Sequence, residues 1–247
     1  PQEKMKQRQS RHKNDGRQKE RSNIMNREQM RITELYDLTH TLAADYLSGF
    51  EYPWDALQGI SDFIIALGNS LDTEEYEKRD GNVWVHKTAK VASSAFLNGP
   101  VIVGREAEVR HCAFIRGSAL IGEGAVVGNS TELKNVILFD KVQVPHYNYV
   151  GDSILGYKAH MGAGSITSNV KSDKLLVSIH AADGEIESGR KKVGALIGDN
   201  VEVGCGSVLN PGTVIGRNSN IYPLSSVRGC VDANSIYKRQ GEIAGKN

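Results

Sequence analysis

The chain has 247 residues, of which 39% are hydrophobic and 24% are charged, so it fits one sizeable globular domain with short appendages. The ordinary apolar fraction excludes wholesale disorder, and 26 glycines are far too few for a collagen-like repeat. No apolar run approaches the roughly 18 residues of a membrane-spanning helix, and no apolar segment near the N-terminus indicates secretion. Three cysteines, Cys112, Cys205 and Cys230, lie far apart without a Cys-x-x-Cys pair, which is typical of reduced thiols. We therefore expect a cytoplasmic protein.

A basic segment opens the chain. Residues 1–31 carry ten Lys/Arg and four Asp/Glu, although the net charge of the whole chain is only +1. Such a segment can bind nucleic acid or a membrane surface, but no aromatic residue is interleaved with these charges. The chain begins with Pro, and Met25 or Met30 is a candidate natural start. We therefore expect residues 1–30 to be an appended or disordered tail, and we expect neither nucleic acid nor a membrane as a partner.

Two amphipathic stripes follow the basic segment. Apolar residues recur at spacings of three and four on both sides of a break at Ser48-Gly49, and Pro53 stands where a second helix would begin. These stripes could form a groove for a cofactor or partner, but packing against a larger body is the stronger interpretation. The pattern predicts a helical hairpin over 31–72 and a charged linker over 73–83.

A six-residue repeat dominates the rest of the chain. An apolar residue recurs at every sixth position, and a mostly small residue follows it by four places. The first apolar series is Val85, Val91, Leu97, Val103, Val109, Ile115, Ile121, Val127, Leu133 and Phe139. The second series is Ile197, Val203, Leu209, Ile215, Ile221 and Val227.

Neither an α-helix nor an ordinary amphipathic strand has a six-residue period. The period fits one short strand and one turn, with the apolar side chain pointing inward and the small residue at a tight corner. Such coils cannot bury their apolar side alone and must stack. Glycine at the second place of many repeats, as at Gly104 and Gly122, is expected to relieve the corner geometry. The sequence therefore predicts a mainly β protein with a parallel β-helix over 84–233 and a C-terminal tail over 234–247.

Hexapeptide repeats of this kind resemble those of the left-handed β-helix superfamily. The resemblance implies coils of three faces and about eighteen residues. It also implies a homotrimer with ligand sites in the clefts between neighbouring prisms. The same scaffold carries acyltransferases, γ-class carbonic anhydrases and non-catalytic assembly proteins, so function must be argued from side chains that leave the prism.

The repeat fails between Val144 and Leu155 and again across a predicted loop insertion at 170–193. Interruptions of a solenoid lose stacking, which makes both segments candidates for functional surface, although each could also be a tolerated loop. His146 lies in the first interruption, and an imidazole can take a proton from an attacking amine or hydroxyl.

Three cations accompany this histidine in the sequence. Arg116 and Lys134 precede His146 by 30 and 12 residues, offsets that place them one or two coils away. Lys174 lies in the second interruption. Arginine can bind two phosphate oxygens at once and lysine adds a point charge, so this group suits a phosphorylated substrate.

A more specific resemblance extends over about 84–240. The strings RGSALIGEGAVVGNSTELKNVIL and VPHYNYVGDSILGYKAHMGAGSITSN resemble the acetyltransferase domain of bifunctional N-acetylglucosamine-1-phosphate uridyltransferases. Together with ESGRKKVGALIGDNVEVG, they are similar to archaeal-type sugar-1-phosphate nucleotidylyltransferases that carry such a domain. No Gly-rich nucleotide motif lies upstream, so we do not expect the chain itself to make a nucleotide sugar.

This resemblance implies an activity. Acetyl would move from acetyl-CoA to the amine of a hexosamine phosphate, such as glucosamine-1-phosphate or galactosamine-1-phosphate, or of a nucleotide amino sugar. The transfer requires no metal. His160 stands where the uridyltransferases have Asn, and the 171–193 loop is longer than theirs, which leaves the sugar open.

The resemblance also implies roles for individual residues. His146 takes the place of the general base, and Asn169 lies near the reacting amine. The residues that would hold the sugar and its phosphate are Arg116, Lys134, Tyr149 and Lys174. The backbone at Ala163 would contact the acetyl carbonyl. The other positions implied for coenzyme A are Cys205, where the family usually has Ser, and Lys238 and Arg239, which would reach its phosphates.

Other functions remain open at this point. A carbonic anhydrase would need three histidines around zinc, but His111, His146 and His160 differ in repeat phase. A cysteine nucleophile is disfavoured, since none of the three cysteines lies beside the proposed base. A non-catalytic trimeric scaffold, or a regulatory protein that binds a nucleotide sugar, would show binding without turnover.

Overall fold

A computed structural model describes residues 25–239 and 242–245. The expected basic tail therefore lies outside the described residues as far as residue 24. Within the described residues the chain forms a left-handed parallel β-helix, and the predicted fold class is confirmed. Short strands of successive coils pair in parallel, one coil after the next, so the prism has three faces.

The strands of the three faces are numbered here in chain order. The first face contains β2 (Val83–His86), β5 (Val101–Val103), β8 (Ala119–Ile121), the ends of β10 (Glu132–Leu138) and β12 (Tyr149–Leu155), β17 (Ala195–Ile197), β20 (Thr213–Ile215) and β23 (Cys230–Val231). The second face contains β3 (Lys90–Val91), β6 (Glu108–Val109), β9 (Val126–Asn129), β11 (Gln143–His146), β13 (His160–Met161), β18 (Glu202–Val203), β21 (Asn220–Ile221) and β24 (Ser235–Arg239). The third face contains β4 (Phe96–Leu97), β7 (Phe114–Ile115), the beginnings of β10 and β12, β14 (Ile166–Thr167), β19 (Val208–Leu209) and β22 (Ser226–Val227).

Four further strands lie outside the stacked faces. They are β1 (Tyr76–Arg79), β15 (Ser178–Ala181), β16 (Gly184–Glu187) and β25 (Glu242–Gly245). β1 pairs antiparallel with β2 and β25 with β24, so the expected linker 73–83 and tail 234–247 both contain strands. The first and last coils of a solenoid leave strand edges open, and a returning strand covers one such edge at each end. β15 and β16 form a hairpin inside the segment 170–193.

The first expected interruption, at 144–155, is not a break in the prism. Val144, Val150 and Leu155 are fully buried in the interior, in line with the coils above and below. The coils here are one residue shorter, since Ile121 pairs with Leu138 and Leu138 with Leu155. Each of these coils has one residue fewer at the corner between the third and first faces, because β10 and β12 cross that corner as continuous strands. The shortened step looks like an interruption in the sequence because it shifts the six-residue phase.

Glycine does not serve the corners in the way the sequence suggested. Positive φ occurs at corner residues such as Asn135 and Asp152, with φ of 56° and 48°, and at glycines in other places of the repeat, such as Gly124 and Gly164. Gly104, Gly122 and Gly128 have no positive φ and instead lie against the backbone of the next coil. At Gly128, a Cβ atom would overlap the carbonyl group of Pro145, immediately before His146. Glycine is therefore required for close stacking of coils.

The segment 31–72 forms several short helices instead of the expected two-helix hairpin. They are α1 (Ile32–Leu35), α2 (Ala44–Ser48), α3 (Pro53–Ala56) and α4 (Ile60–Ser70), with 3₁₀ turns at Glu28–Met30 and Leu38–His40. Contacts with the prism explain the interruptions. The backbone N–H of Asp199 donates to Leu35 O at 3.1 Å, and that of Asp140 donates to His40 O at 3.0 Å, so helix-end carbonyls bind the corners of the β-helix.

These helices cover the first face of the prism. The side chains that point outward from that face are apolar and fully buried, for example Ile102, Leu120 and Ile154. Gly68 of α4 lies directly against the indole of Trp84, and the Tyr36 hydroxyl donates to Ile154 O. The helical segment thus closes one face, and the second and third faces remain available for a functional site.

Replacement of Gly128 by alanine tests the close stacking of coils at the proposed base. We expect Gly128→Ala to lower the free energy of unfolding by about 3 kcal/mol, because the new methyl group must displace backbone atoms of Pro145. The matched control is Gly49→Ala, where a Cβ would meet only Tyr46 O at 3.4 Å. Thermal and urea denaturation measure both variants. Equal stability of Gly128→Ala and Gly49→Ala would contradict the proposed contact.

Candidate functional site

One corner of the prism stacks three of the candidate residues. At the corner between the second and third faces, the Gly164 N–H donates to His146 O at 3.0 Å, and the Gly206 N–H donates to Ala163 O at 2.9 Å. These bonds place His146, Ala163 and Cys205 in one column, each a coil further along. Neighbouring coils lie about 4.8 Å apart, so the column spans about 10 Å. All three side chains are exposed. We call this column the base corner.

A buried amide positions the base corner. Asn148 accepts a hydrogen bond from the His146 backbone N–H at 3.0 Å. Its Nδ2 donates to Gly162 O at 2.9 Å and to Ser165 O at 3.0 Å, on the next coil. The sequence interpretation missed this residue, although a signal was present. Asn148 occupies a small-residue place of the repeat, where Ala, Ser or Thr is usual, and a larger polar residue there indicates a specific polar contact.

The base corner also offers an unused backbone donor. Among the described residues, the Ala163 N–H has no hydrogen-bond partner, whereas the neighbouring Gly162 and Gly164 N–H groups are both bonded. The His146 side chain likewise makes no hydrogen bond within residues 25–239 and 242–245. An exposed imidazole next to an open N–H group provides a proton acceptor and a donor for a carbonyl oxygen.

A second polar group forms at the other end of the third face, around one buried carboxylate. Asp152 accepts hydrogen bonds from Lys134 Nζ at 3.1 Å, Asn135 Nδ2 at 3.0 Å and Asn169 Nδ2 at 2.6 Å. Asn169 Nδ2 also lies 3.2 Å from the Tyr149 hydroxyl. The side chain of Asp152 is only 4% exposed, so three donors compensate its burial. We call these residues the Asp152 group.

Tyr149 is half-buried at the edge of this group. Burial raises the pKa of the Tyr149 hydroxyl, and the Asn169 hydrogen bond opposes that rise. The phenol therefore stays neutral at physiological pH and can donate a hydrogen bond. Tyr149 begins β12 three residues after His146, and Asp152 lies at the corner that ends the third face, so the base corner and the Asp152 group lie at opposite ends of this face.

The two cations that sequence reasoning assigned to phosphate already have carboxylate partners. Arg116 Nη1 lies 2.7 Å from Glu132 Oε1, and Lys134 contacts Asp152. Both are brought to the third face, where Lys134 pairs with Gly151 of the next coil. Their charges are therefore balanced within the chain, and a bound anion would compete with these carboxylates.

Three other cations that the sequence analysis assigned to ligand binding lie apart from the Asp152 group. Lys174 is exposed in the insertion, and its side chain makes no hydrogen bond or ion pair within the part of the chain that the structure describes. Lys238 and Arg239 are exposed at the end of β24, beyond the last coil of the second face, and Arg239 contacts Glu242. None of these three touches the Asp152 group in this structure.

A cationic pocket beside the Asp152 group was missed by the sequence analysis. Its volume is about 530 Å³, and it opens where the insertion 170–193 rejoins the β-helix. The lining residues are Leu57, Gln58, Lys134, Asn135, Asp152, Gly189, Arg190, Lys191 and Lys192. The sequence signal for this pocket was the triplet Arg190-Lys191-Lys192, but only the fold shows that the triplet lies beside Lys134.

The histidines do not form a metal centre within the described residues. His111 and His146 stand at the same corner, with Asn129 between them, although the sequence analysis expected different phases. The shortened coil accounts for this difference. His160 lies on the second face, where its Nδ1 is 2.7 Å from Glu202 Oε2. Residues 25–239 and 242–245 contain no cluster of three or more His, Cys, Asp or Glu arranged to bind a metal ion.

None of the described helices has the length and apolarity to cross a membrane.

The chain shows similarity to two family models. A model of the C-terminal domain of GMPPB matches residues 97–190, and a model of the bacterial transferase hexapeptide, six repeats, matches residues 194–229. These matches agree with the stacked coils: the chain is similar to hexapeptide-repeat transferases, and the repeat model matches residues 194–229.

Curated relatives make the resemblance more specific. A bifunctional sugar-1-phosphate nucleotidylyltransferase/acetyltransferase from Sulfurisphaera tokodaii is 28% identical over 218 residues, which cover 83% of this chain and 54% of the relative. Bifunctional protein GlmU from Methanococcus maripaludis strain C7 is 37% identical over 200 residues, which cover 80% of this chain and 48% of the relative. This chain thus spans about half the length of these relatives. The predicted resemblance to hexapeptide-repeat acetyltransferases of the GlmU type is confirmed.

Solved structures with related folds show low overall similarity. The polySia specific acetyltransferase NeuO matches with a TM-score of 0.43 and 15% identity, over 68% of this chain and 88% of that chain. A perosamine N-acetyltransferase from Caulobacter crescentus, solved with CoA and GDP-perosamine, matches with a TM-score of 0.30 and 15% identity, over 62% of this chain and 51% of that chain.

Replacement of Asn148 by alanine tests its role at the base corner. We expect Asn148→Ala to cost about 2 kcal/mol of stability, because it leaves buried backbone groups of two coils without partners. The control is Asn98→Ala, which removes an exposed amide bonded to Arg116 O and should change stability by less than about 0.5 kcal/mol. Urea denaturation compares the two. A loss no greater than that of the control would show that Asn148 does not hold the corner.

Thiol labelling tests the placement of the three cysteines. Cys112 and Cys205 are exposed, whereas Cys230 is buried beside Met30 and its burial raises the pKa of the thiol to about 12. We expect Cys112 and Cys205 to react rapidly with a disulfide reagent at neutral pH, and Cys230 to react only after denaturation. Mass spectrometry identifies the labelled peptides. Rapid labelling of native Cys230 would contradict the structure of β23.

Proposed function

We propose that the chain is an amino-sugar N-acetyltransferase that moves acetyl from acetyl-CoA to the amine of a hexosamine phosphate or a nucleotide amino sugar. The observation that carries the proposal is the placement of His146 and the open Ala163 N–H in one column at one end of the third face, with the Asp152 group at the other end of that face. The relatives from Sulfurisphaera tokodaii and Methanococcus maripaludis, named as a bifunctional acetyltransferase and as GlmU, support the same class of reaction.

The base corner fits the chemistry of acetyl transfer. The amine nitrogen attacks the thioester carbonyl, the carbon–sulfur bond breaks, and the thiolate of coenzyme A leaves. His146 takes the proton that the amine loses, and the proton then passes to the leaving thiolate. The Ala163 N–H is available to donate to the carbonyl oxygen as negative charge develops there. Cys205, on the following coil, extends the same column in the direction assigned to coenzyme A.

The Asp152 group fits the acceptor. Asn169 and the neutral Tyr149 hydroxyl offer hydrogen bonds to the sugar, and Asp152 fixes the orientation of Asn169. Lys134 can share its charge between Asp152 and an anionic substituent. Positioning of the amine near the thioester is expected to supply much of the rate, with a general base adding about 10²–10⁴.

The proposal includes a homotrimer. The base corner and the third face are open on the surface of a single prism, and a second copy packed against the third face would enclose both reactants. We therefore propose that the complete site lies between neighbouring protomers and that the assembly works in the cytoplasm. Light scattering of the purified chain should give three times 27.0 kDa.

A thiol-release assay tests the reaction. Acetyl-CoA is supplied with glucosamine-1-phosphate, galactosamine-1-phosphate or a nucleotide-linked amino sugar, and free coenzyme A is measured. We expect release with at least one amine and a fall in kcat of about 10²–10⁴ in His146→Ala, because the attacking amine loses its proton acceptor. The control is His180→Ala, which changes an exposed histidine of the β15–β16 hairpin bonded to Glu185.

Two results would count against the proposal. Unchanged turnover in His146→Ala would remove its role as base. Binding of acetyl-CoA and sugar without thiol release from any amine would favour the non-catalytic scaffold or regulatory protein.

A further inference from the structure

The triplet Arg190, Lys191 and Lys192 presents positive charge beside the acceptor site. We propose that it binds the diphosphate of a nucleoside-diphosphate-linked amino sugar, so that the acceptor is nucleotide-linked and not a sugar monophosphate. This inference rests on the proposed function, since it names the substrate class of the same site. The cationic pocket is assigned to the acceptor, and coenzyme A is left to the base corner.

The triplet is held next to the Asp152 group by backbone hydrogen bonds. The Val193 N–H, directly after Lys192, donates to Asn169 O at 3.1 Å, and the Gly194 N–H donates to Asp152 O at 2.8 Å. On the other side, Arg190 O accepts from the Val177 N–H at 2.8 Å. The insertion therefore leaves and rejoins the prism at the same place, and its closing residues are anchored there.

The charge of the triplet is unbalanced, in contrast to that of Arg116 and Lys134. Among the described residues, no carboxylate lies within ion-pair distance of Arg190, Lys191 or Lys192. Asp55 lies near enough for Arg190 to lower its pKa, but burial raises that pKa more. The pocket's own carboxylate, Asp152, is already occupied by Lys134 and two amides. Like charges so close together repel unless an anion binds between them.

Arg190 supplies a second, independent sign of a missing partner. Its Nε atom is enclosed by protein but has no hydrogen-bond partner among the described residues. Its Nη1 makes only a long contact of 3.4 Å with Gln58 Oε1. A guanidinium group has five N–H donors in a fixed fork, which matches phosphate oxygens. Arg190 therefore lines the pocket with hydrogen-bonding capacity that the described residues leave largely unused, which a bound oxyanion would satisfy.

The size and charge of the pocket favour a diphosphate over a monophosphate. A single phosphate group is satisfied by one or two cations, whereas the triplet presents three cations that have no carboxylate partner among the described residues, beside a Lys134 that is bonded to Asp152. Its volume of about 530 Å³ lies within the usual range for small-molecule sites of about 300–1,000 Å³. That volume exceeds what two phosphate groups need, which leaves room for an attached nucleoside near Leu57 and Gln58 of the helical segment.

Calorimetric titration without acetyl-CoA tests this inference. UDP serves as the nucleoside diphosphate probe and inorganic phosphate as the single-anion probe, each titrated into the full chain. We expect UDP to bind and its Kd to rise by about 10-fold or more in the double variant Lys191→Ala/Lys192→Ala, because charge-assisted hydrogen bonds are lost. The affinity should also fall as salt is raised. Lys87→Ala is the control: it removes an exposed lysine that does not line the cationic pocket and should leave Kd unchanged.

The outcomes separate this inference from the proposed function. Equal UDP affinity in the wild type and the double variant would overturn it, and so would an equal loss for inorganic phosphate. A loss of coenzyme A affinity in place of UDP affinity would assign the pocket to the donor and would also overturn it. Triplet-dependent UDP binding by a chain that releases no thiol would support the subsite while the proposed acetyl transfer fails.

Discussion

Stacking of coils in register is the constraint on which the rest of this structure depends. The strands of the three faces pair in parallel with the same positions of neighbouring coils, so residues one coil apart lie about 4.8 Å apart. A residue far away in sequence becomes a neighbour as soon as its offset equals a whole coil. His146 and Cys205 share a corner for this reason, although the insertion 170–193 lies between them in the sequence. Backbone pairing, and not side-chain affinity, brings the candidate residues together.

The shortened coils show how small changes in this register create a polar site. Asn135 and Asp152 occupy the corner at which one residue is missing, and both adopt a positive φ. Asn and Asp tolerate this conformation better than most residues. Because the strand continues through the corner, Asp152 is buried, and it requires the donors Lys134, Asn135 and Asn169. The geometry of the Asp152 group is therefore a consequence of a local change in coil length.

The fold could be predicted from the sequence because its signal is local. A six-residue period is visible in single stretches such as Val85 to Leu133, and it has few physical interpretations. The sequence also contained a signal that helices cover the first face of the prism. Ile102, Leu120 and Ile137 repeat at about one coil length at outward positions, and apolar residues there indicate a packed helix. The shortened coils were not recognised, because a five-residue step and a loop shift the phase in the same way.

The candidate site could be predicted only where register alone decides it. Arg116 and Lys134 are 18 residues apart, a whole coil, so register alone makes them neighbours on the third face. His146 follows Lys134 by 12 residues, which is not a whole coil, and it lies at the base corner, at the other end of this face. Lys174 and the Arg190 triplet lie on the insertion, whose path depends on the antiparallel hairpin of β15 and β16 and on the bond between Val193 and Asn169. Both segments are basic, and no local pattern distinguishes the lysine that remains in solvent from the triplet that returns to Asp152. The closure of the insertion on the prism therefore decides which positive charges face the Asp152 group. In this way an insertion can change the charge beside a polar site of a β-helix while the stacked core stays the same.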